Sequence, residues 1–316
     1  MVMKFKPIKL TDHFYQIGTP YFPGYLSLGE KNMLIDGGTS AVANIIEGQL
    51  QALDIHPESI EYISITHSHA DHIGGLSRLK KKWPHMKTIA SATAARMMAN
   101  PKVIKQFEGM DSAISKIMKE KSEIDEIPVS MEADEYDFGV DIIADETFRI
   151  DLGNNIVWTV DTTPGHAGCQ IALFEGYEGT AAIGDAIGFY NHTENAFWPN
   201  YFESLTDYTD SIRKIARMNP ARLALGHNGA VEKETRKFLA EALSATGAYH
   251  RELVKRAGAG EPIEAIARDK AGQIASWSGH MSFVVAMLIQ VLIKQSLKAV
   301  KDGEPSFDLD PGGRPS

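Results

Sequence analysis

The sequence predicts an α+β fold in which a strand-rich region carries a helical insertion and is followed by a helical extension. Three observations lead there. Short apolar runs bounded by turn residues recur from residue 5 to about 230, a methionine-bearing helical pattern interrupts them at about 93–127, and residues 232–300 hold almost no strand signal. The expected organisation is therefore one domain over 1–230, a helical extension over 231–300 and a Pro/Gly-rich flexible tail over 301–316.

In chain order, residues 5–35 alternate apolar groups with turns such as Pro20-Tyr21-Phe22-Pro23-Gly24 and Gly29-Glu30-Lys31-Asn32, which predicts a strand meander ending in Asp36-Gly37-Gly38-Thr39. Ile45, Ile46, Leu50 and Leu53 have helical spacing, with Ser40 as the expected cap. A strand at 62–65, a helix at 76–83 and a strand at 87–90 follow. The insertion carries Met97, Met98, Met110 and Met118, then an acidic stretch through Glu132, Asp134, Glu135, Asp137 and Asp141. Strands are expected again at 147–150, 156–160, 171–174, 181–183 and 223–225, with a helix at 205–218. The last third reads as three helices broken near 258–262 and 272–279, and the final one buries a wide stripe through Phe283, Val284, Met287, Leu288, Val291, Leu292 and Leu297, leaving Gln290, Lys294, Gln295 and Lys298 for the other face.

Composition narrows the chemistry. The 316 residues include 32 basic and 41 acidic ones, a formal charge of −9, which disfavours nucleic acid as a partner. The single cysteine, Cys169, excludes an internal disulfide and any thiolate-rich zinc site, so the eleven histidines are the candidate soft ligands. No basic segment followed by an apolar core opens the chain, and the apolar run at 283–293 is shorter than a bilayer span. A cytoplasmic protein without a membrane partner is the expectation.

After the strand at 62–65 comes Thr66-His67-Ser68-His69-Ala70-Asp71-His72, four ligand-capable groups within six residues. Side chains two apart at a strand end share a side, so His67 and His69 can serve one ion while the following turn brings Asp71 and His72 toward another. Such a pattern arises by chance on the order of once in a thousand chains of this kind.

Together with Asp36-Gly37-Gly38, Thr163-Pro164-Gly165-His166, Gly184-Asp185 and Gly226-His227-Asn228, each just past a predicted strand, this motif resembles the metallo-β-lactamase superfamily of binuclear hydrolases over residues 5–229. The resemblance implies an αββα sandwich, making 1–230 the catalytic domain. It puts His67, His69 and His166 on one divalent metal and Asp71, His72 and His227 on a second, with Asp185 bridging. Zinc or iron, or manganese, suits this nitrogen and oxygen set. A metal-bound hydroxide would attack the substrate.

Asp71 and Asp185 are thus expected in catalysis. Tyr190 resembles in position a tyrosine that assists ring opening in homoserine-lactone hydrolases of the superfamily, its alternative being a hydrophobic lid residue. Asp36 is expected to orient a ligand histidine, and Cys169 to be a small packing residue. The segment from Gly184 to Tyr190, with Trp198-Pro199, Tyr208 and the helical extension, is similar to the branch containing 2-aminobenzoylacetyl-CoA thioesterase. A small ester or thioester is therefore the expected substrate, with a lactone, a phosphodiester or a metal-bearing ligand-binding regulator as alternatives. The late helices offer a docking face for their own domain, an acyl channel or a homodimer. His280 is a candidate pocket residue, and His13, His56, His85 and His250 are expected at the surface.

Overall fold

Apolar alternation and turn chemistry place the strands, and burial selects which face each presents. The computed structural model describes residues 4–129, 131, 136–278 and 281–310. His280, Glu132, Asp134, Glu135 and the last part of the tail, 311–316, lie outside the described residues. In chain order the elements are β1 (Ile8–Lys9), β2 (Phe14–Gly18), β3 (Pro23–Ser27), β4 (Asn32–Ile35), α1 (Ser40–Ala52), β5 (Ile60–Ser64), α2 (Ala70–Ile73), α3 (Leu76–Lys82), β6 (Lys87–Ala90), α4 (Ala92–Met98) and α5 (Pro101–Glu120). Then come β7 (Ile142–Ile143), β8 (Arg149–Asp151), β9 (Val157–Thr162), β10 (Ile171–Glu175), β11 (Thr180–Gly184), β12 (Phe189–Asn191), β13 (Ala196–Trp198), α6 (Leu205–Arg217), β14 (Arg222–Leu225), β15 (Ala230–Val231), α7 (Thr235–Gly258), α8 (Ile263–Ser278) and α9 (Ser282–Asp302).

Two compact units emerge. The first comprises residues 1–162, 169–184 and 222–231 and the second 163–168, 185–221 and 232–316. The first unit holds a seven-stranded sheet, β1 to β7 in sequence order, and a six-stranded sheet ordered β15-β14-β11-β10-β9-β8. Strands β1 to β4 form the expected antiparallel meander, while β4, β5, β6 and β7 run parallel through helical crossovers. Because β4 and β5 are parallel, both end at the same edge of their sheet, and the backbone N–H of Asp36 donates to Ser64 O at 2.9 Å just past those ends. On the other sheet β11 and β14 are parallel neighbours, so Gly184 and Gly226 meet, with Gly226 N–H donating to Gly184 O at 2.9 Å.

The core joins inward residues of both sheets, among them Phe14, Tyr25, Met33, Ile89, Trp158, Val160 and Leu173. Phe14 stacks on Tyr25 at 5.3 Å between ring centres, and Trp158 Nε1 donates to Ser27 Oγ at 2.9 Å across the sandwich. Burial of side chains this size contributes roughly 1.5–3 kcal/mol each before entropy is counted. The α+β prediction and its helical insertion, here α4 and α5, therefore stand, with one shift of cap: Thr39, not Ser40, accepts from Val42 N–H at 3.4 Å.

The second unit contains the β12–β13 hairpin, which the sequence reading did not assign, and α6 to α9. The last third forms the three expected helices, with α8 ending at Ser278, at the far end of the expected 272–279 break; Gly272 stays inside α8 on an exposed side, where its missing Cβ costs only local propensity. Val285, Ile289, Leu292 and Ile293 form the buried stripe of α9 against α6, α7 and α8, whereas Phe283 and Met287 of the expected stripe are exposed: apolar residues surround this helix on most sides, so packing rather than periodicity selects the buried face. The apolar run at 283–293 is extended to a 21-residue helix, and among the described residues α9 is long and apolar enough to cross a membrane. His250 is not at the surface. It is fully buried on α7, where Glu304 reaches its Nε2 at 3.3 Å and Phe307 covers its ring. Residues 304–310 are therefore anchored to this unit, Arg213 Nε donating to Asp308 O at 2.8 Å.

Candidate metal centre

The sharp turn after β5 needs its backbone held from outside, and Asp36 does this. Its main chain adopts a left-handed φ of 58°, which aspartate tolerates better than most residues. One carboxylate oxygen accepts from Thr66 N–H at 2.8 Å, and the other accepts from Thr66 Oγ1–H at 2.8 Å and lies 2.9 Å from His72 Nδ1. Thr66 thereby spends its only hydroxyl proton on Asp36, so its oxygen accepts from His67 Nδ1–H at 3.1 Å.

The same logic fixes two more imidazoles. A carbonyl oxygen only accepts, so the 2.7 Å contact of His227 Nδ1 with Tyr21 O and the 2.9 Å contact of His166 Nδ1 with Asn200 O put the proton on Nδ1 in both rings. A carboxylate partner does the same for His72. In neutral form all four histidines then carry their lone pair on Nε2, the state in which imidazole ligates metals and the arrangement outer partners impose on ligand histidines.

Within the first unit these nitrogens converge. His67 Nε2 lies 3.1 Å from His69 Nδ1, His227 Nε2 lies 3.4 Å from Asp71 Oδ2, and His72 Nε2 lies 4.0 Å from the same oxygen. Asp71, His72 and His227 each offer a ligand atom within 4.8 Å of the others. Burial alone would raise the Asp71 carboxyl, but the imidazoles of His72, His227 and His69 outweigh it and hold the group well below the usual carboxylate range. This set of imidazole nitrogens gathered around a carboxylate has the donor chemistry that fits a divalent ion.

The second unit carries the other two predicted ligands, His166 and Asp185, both buried, with Nε2 and Oδ2 3.5 Å apart. Gly165 precedes His166 at φ 124°, and a Cβ there would lie 2.3 Å from the Tyr208 backbone, so only glycine lets α6 approach the turn. Gly184, just before Asp185, has φ 49° and would drive a Cβ to 2.9 Å from Thr66 Oγ1.

Residues 24–227 match the model of one family, the metallo-beta-lactamase superfamily. The chain belongs to that superfamily. Beta-lactamase-like protein 2 homolog of Caenorhabditis elegans is 26% identical over 212 residues, covering 67% of this chain and 57% of that protein. Probable metallo-hydrolase YqjP of Bacillus subtilis is 25% identical over 232 residues, covering 67% of this chain and 70% of its own. Among solved structures, a metallo-beta-lactamase superfamily protein from the archaeon Sulfolobus tokodaii shares the fold with a TM-score of 0.54 at 20% identity, over 74% of this chain and 86% of that one. The match thus spans little more than half the length of the worm relative.

Other superfamily expectations fall in different places. Tyr190 lies on β12, where its ring packs on Phe197 and Phe238 and its hydroxyl donates to Asn195 Oδ1 at 2.7 Å. Cys169 is buried with its sulfur 3.3 Å from Ser68 Oγ, behind the turn that bears His67 and His69. Sequence reasoning missed Tyr21, Asn200 and Phe202, whose ring lies 5.2 Å from that of His166. Two of these act through backbone carbonyls, which carry no residue signal.

Proposed function

We propose that this chain is a metal-dependent hydrolase of a small ester or thioester. The observation that carries the reading is the set of imidazoles whose Nδ1 protons are committed to outer acceptors, which leaves Nε2 as the donor atom. His67, His69 and His166 would hold one ion, Asp71, His72 and His227 a second, and Asp185 would join them. Two divalent ions, when bound, would supply an acidified water and a Lewis acid for the substrate oxygen.

The chain's own groups have separable tasks in this reading. Asp36 and Thr66 keep His72 and His67 in one tautomer and orientation. Asp71 is held as a carboxylate among the imidazoles, the deprotonated form in which it would serve as a metal ligand. Phe22, whose ring lies 6.0 Å from that of His227, and Phe202, whose ring lies 5.2 Å from that of His166, pack beside the two histidines. The net charge of −9 supports a small substrate over a polyanion.

Purified protein of residues 1–316 is assayed for metal and then for rate with acyl-CoA thioesters, S-lactoylglutathione, homoserine lactones and bis(p-nitrophenyl) phosphate. The expected result is two metal equivalents and the highest kcat/KM with a thioester, and loss of at least 10³-fold in His69→Ala and Asp185→Ala. Undiminished turnover in either variant, or a clear preference for the phosphodiester, overturns the proposal.

A further inference from the structure

Helix α9 is more than apolar packing at its middle. Its buried stripe of Val285, Ile289, Leu292 and Ile293 is interrupted by Ser296, which is fully buried. A hydroxyl in that position is costly unless it is hydrogen-bonded, and Ser296 Oγ lies 2.8 Å from the hydroxyl of Tyr201, itself fully buried. The preceding residue, Gln295, donates from Nε2 to the backbone carbonyl of Phe202 at 3.0 Å. Two consecutive residues of α9 thus hold two consecutive residues of an irregular segment that has no strand or helix ladder of its own.

That segment is the one that holds His166. Asn200 O lies 2.9 Å from His166 Nδ1, and the same carbonyl accepts from Phe202 N–H at 2.9 Å. The Phe202 ring packs on the imidazole at 5.2 Å, tilted by 51°. The chain then closes on itself, because Glu203 N–H and Ser204 N–H both donate to Gly165 O, at 3.0 and 3.2 Å, one residue before His166. Carbonyl, ring and turn around His166 are therefore all set by residues 200–204, and α9 fixes two of those residues.

We infer that Ser296 and Gln295 of α9 are positioning residues for the metal ligand His166, acting through Tyr201 and Phe202. This rests on the reading of His166 as a ligand. Outer partners of this type typically change metal affinity 10- to 100-fold when removed. The serine is explained by this role, whereas packing alone would be served by alanine.

The test titrates the metal-free 316-residue protein with Co(II), following the d–d bands and competing with a chelating dye. Variants are Ser296→Ala, Gln295→Leu, the double variant Ser296→Ala/Tyr201→Phe and, as a reference, His166→Ala. His166→Ala should lose one tight equivalent. The α9 variants should bind one of the two equivalents 10- to 100-fold more weakly, with altered d–d bands. In the double variant no buried hydroxyl is left unpaired, so the unfolding midpoint of the metal-free protein should recover toward wild type while the weak Co(II) binding persists. A purely structural role predicts that affinity recovers together with stability, and that result overturns the inference. So do wild-type affinity and spectrum in every α9 variant while His166→Ala loses its equivalent. Two tight equivalents in His166→Ala would instead remove the ligand reading beneath it.

Discussion

Asp36 concentrates the site's outer support in one side chain. It accepts from Thr66 N–H and Thr66 Oγ1–H and meets His72 Nδ1, all within 2.9 Å, and is almost fully buried. Asparagine retains the shape and tolerates the left-handed backbone, but its amide must turn a donor toward a group that also donates. Asp36→Asn should therefore weaken metal binding at the Asp71, His72 and His227 cluster about 10- to 100-fold and lower stability by about 1–3 kcal/mol. Chelator competition and urea unfolding check the two parts. At this scale the side chains were legible because each motif ends a strand whose apolar run is visible. Tyr21 and Asn200 were not, since any residue supplies a carbonyl and only the fold decides which one meets a ring nitrogen.

Among the elements, α5 shows how an insertion becomes part of a scaffold. Asp111 Oδ1 accepts from Ser40 N–H at 2.8 Å at the start of α1, and a Cβ on Gly74 would come within 2.6 Å of the same oxygen. Burial raises the Asp111 carboxyl above its ordinary value against the pull of its Ser40 hydrogen bonds and Arg78. The native state thus binds this proton more tightly than the unfolded chain, so the group's contribution is fully present below the unfolded value of about 3.9 and is lost as pH rises through the raised native value. The stability of wild type relative to Asp111→Asn should fall across that window by about 1.4 kcal/mol per unit of separation, and stay level above it. Urea unfolding of both proteins from pH 4 to 8 measures this, and a difference that grows with pH would contradict it. The helical periodicity made α5 visible, while the cap shift to Thr39 turns on side-chain geometry that periodicity does not encode.

Across the whole molecule the proposed ligands come from four stretches of chain, residues 67–72, 166, 185 and 227, so ion binding must be linked to folding. Local motifs revealed that order. They could not reveal that 163–168 and 185–221 group with the C-terminal helices, because that grouping depends on long-range packing, of 185–221 against α7 to α9 in particular. Ligands held at about one hundred times their Kd each stabilise by about 2.7 kcal/mol, so two ions should contribute about 5 kcal/mol. At about 2–4 °C per kcal/mol, chelation should lower the unfolding temperature by roughly 10 °C or more. Re-addition of a divalent ion should restore it, and the combined variant His67→Ala/His227→Ala should melt like chelated wild type whether or not metal is present. Differential scanning calorimetry decides the point: an unfolding temperature insensitive to chelation would mean that the convergent imidazoles are held by the fold alone.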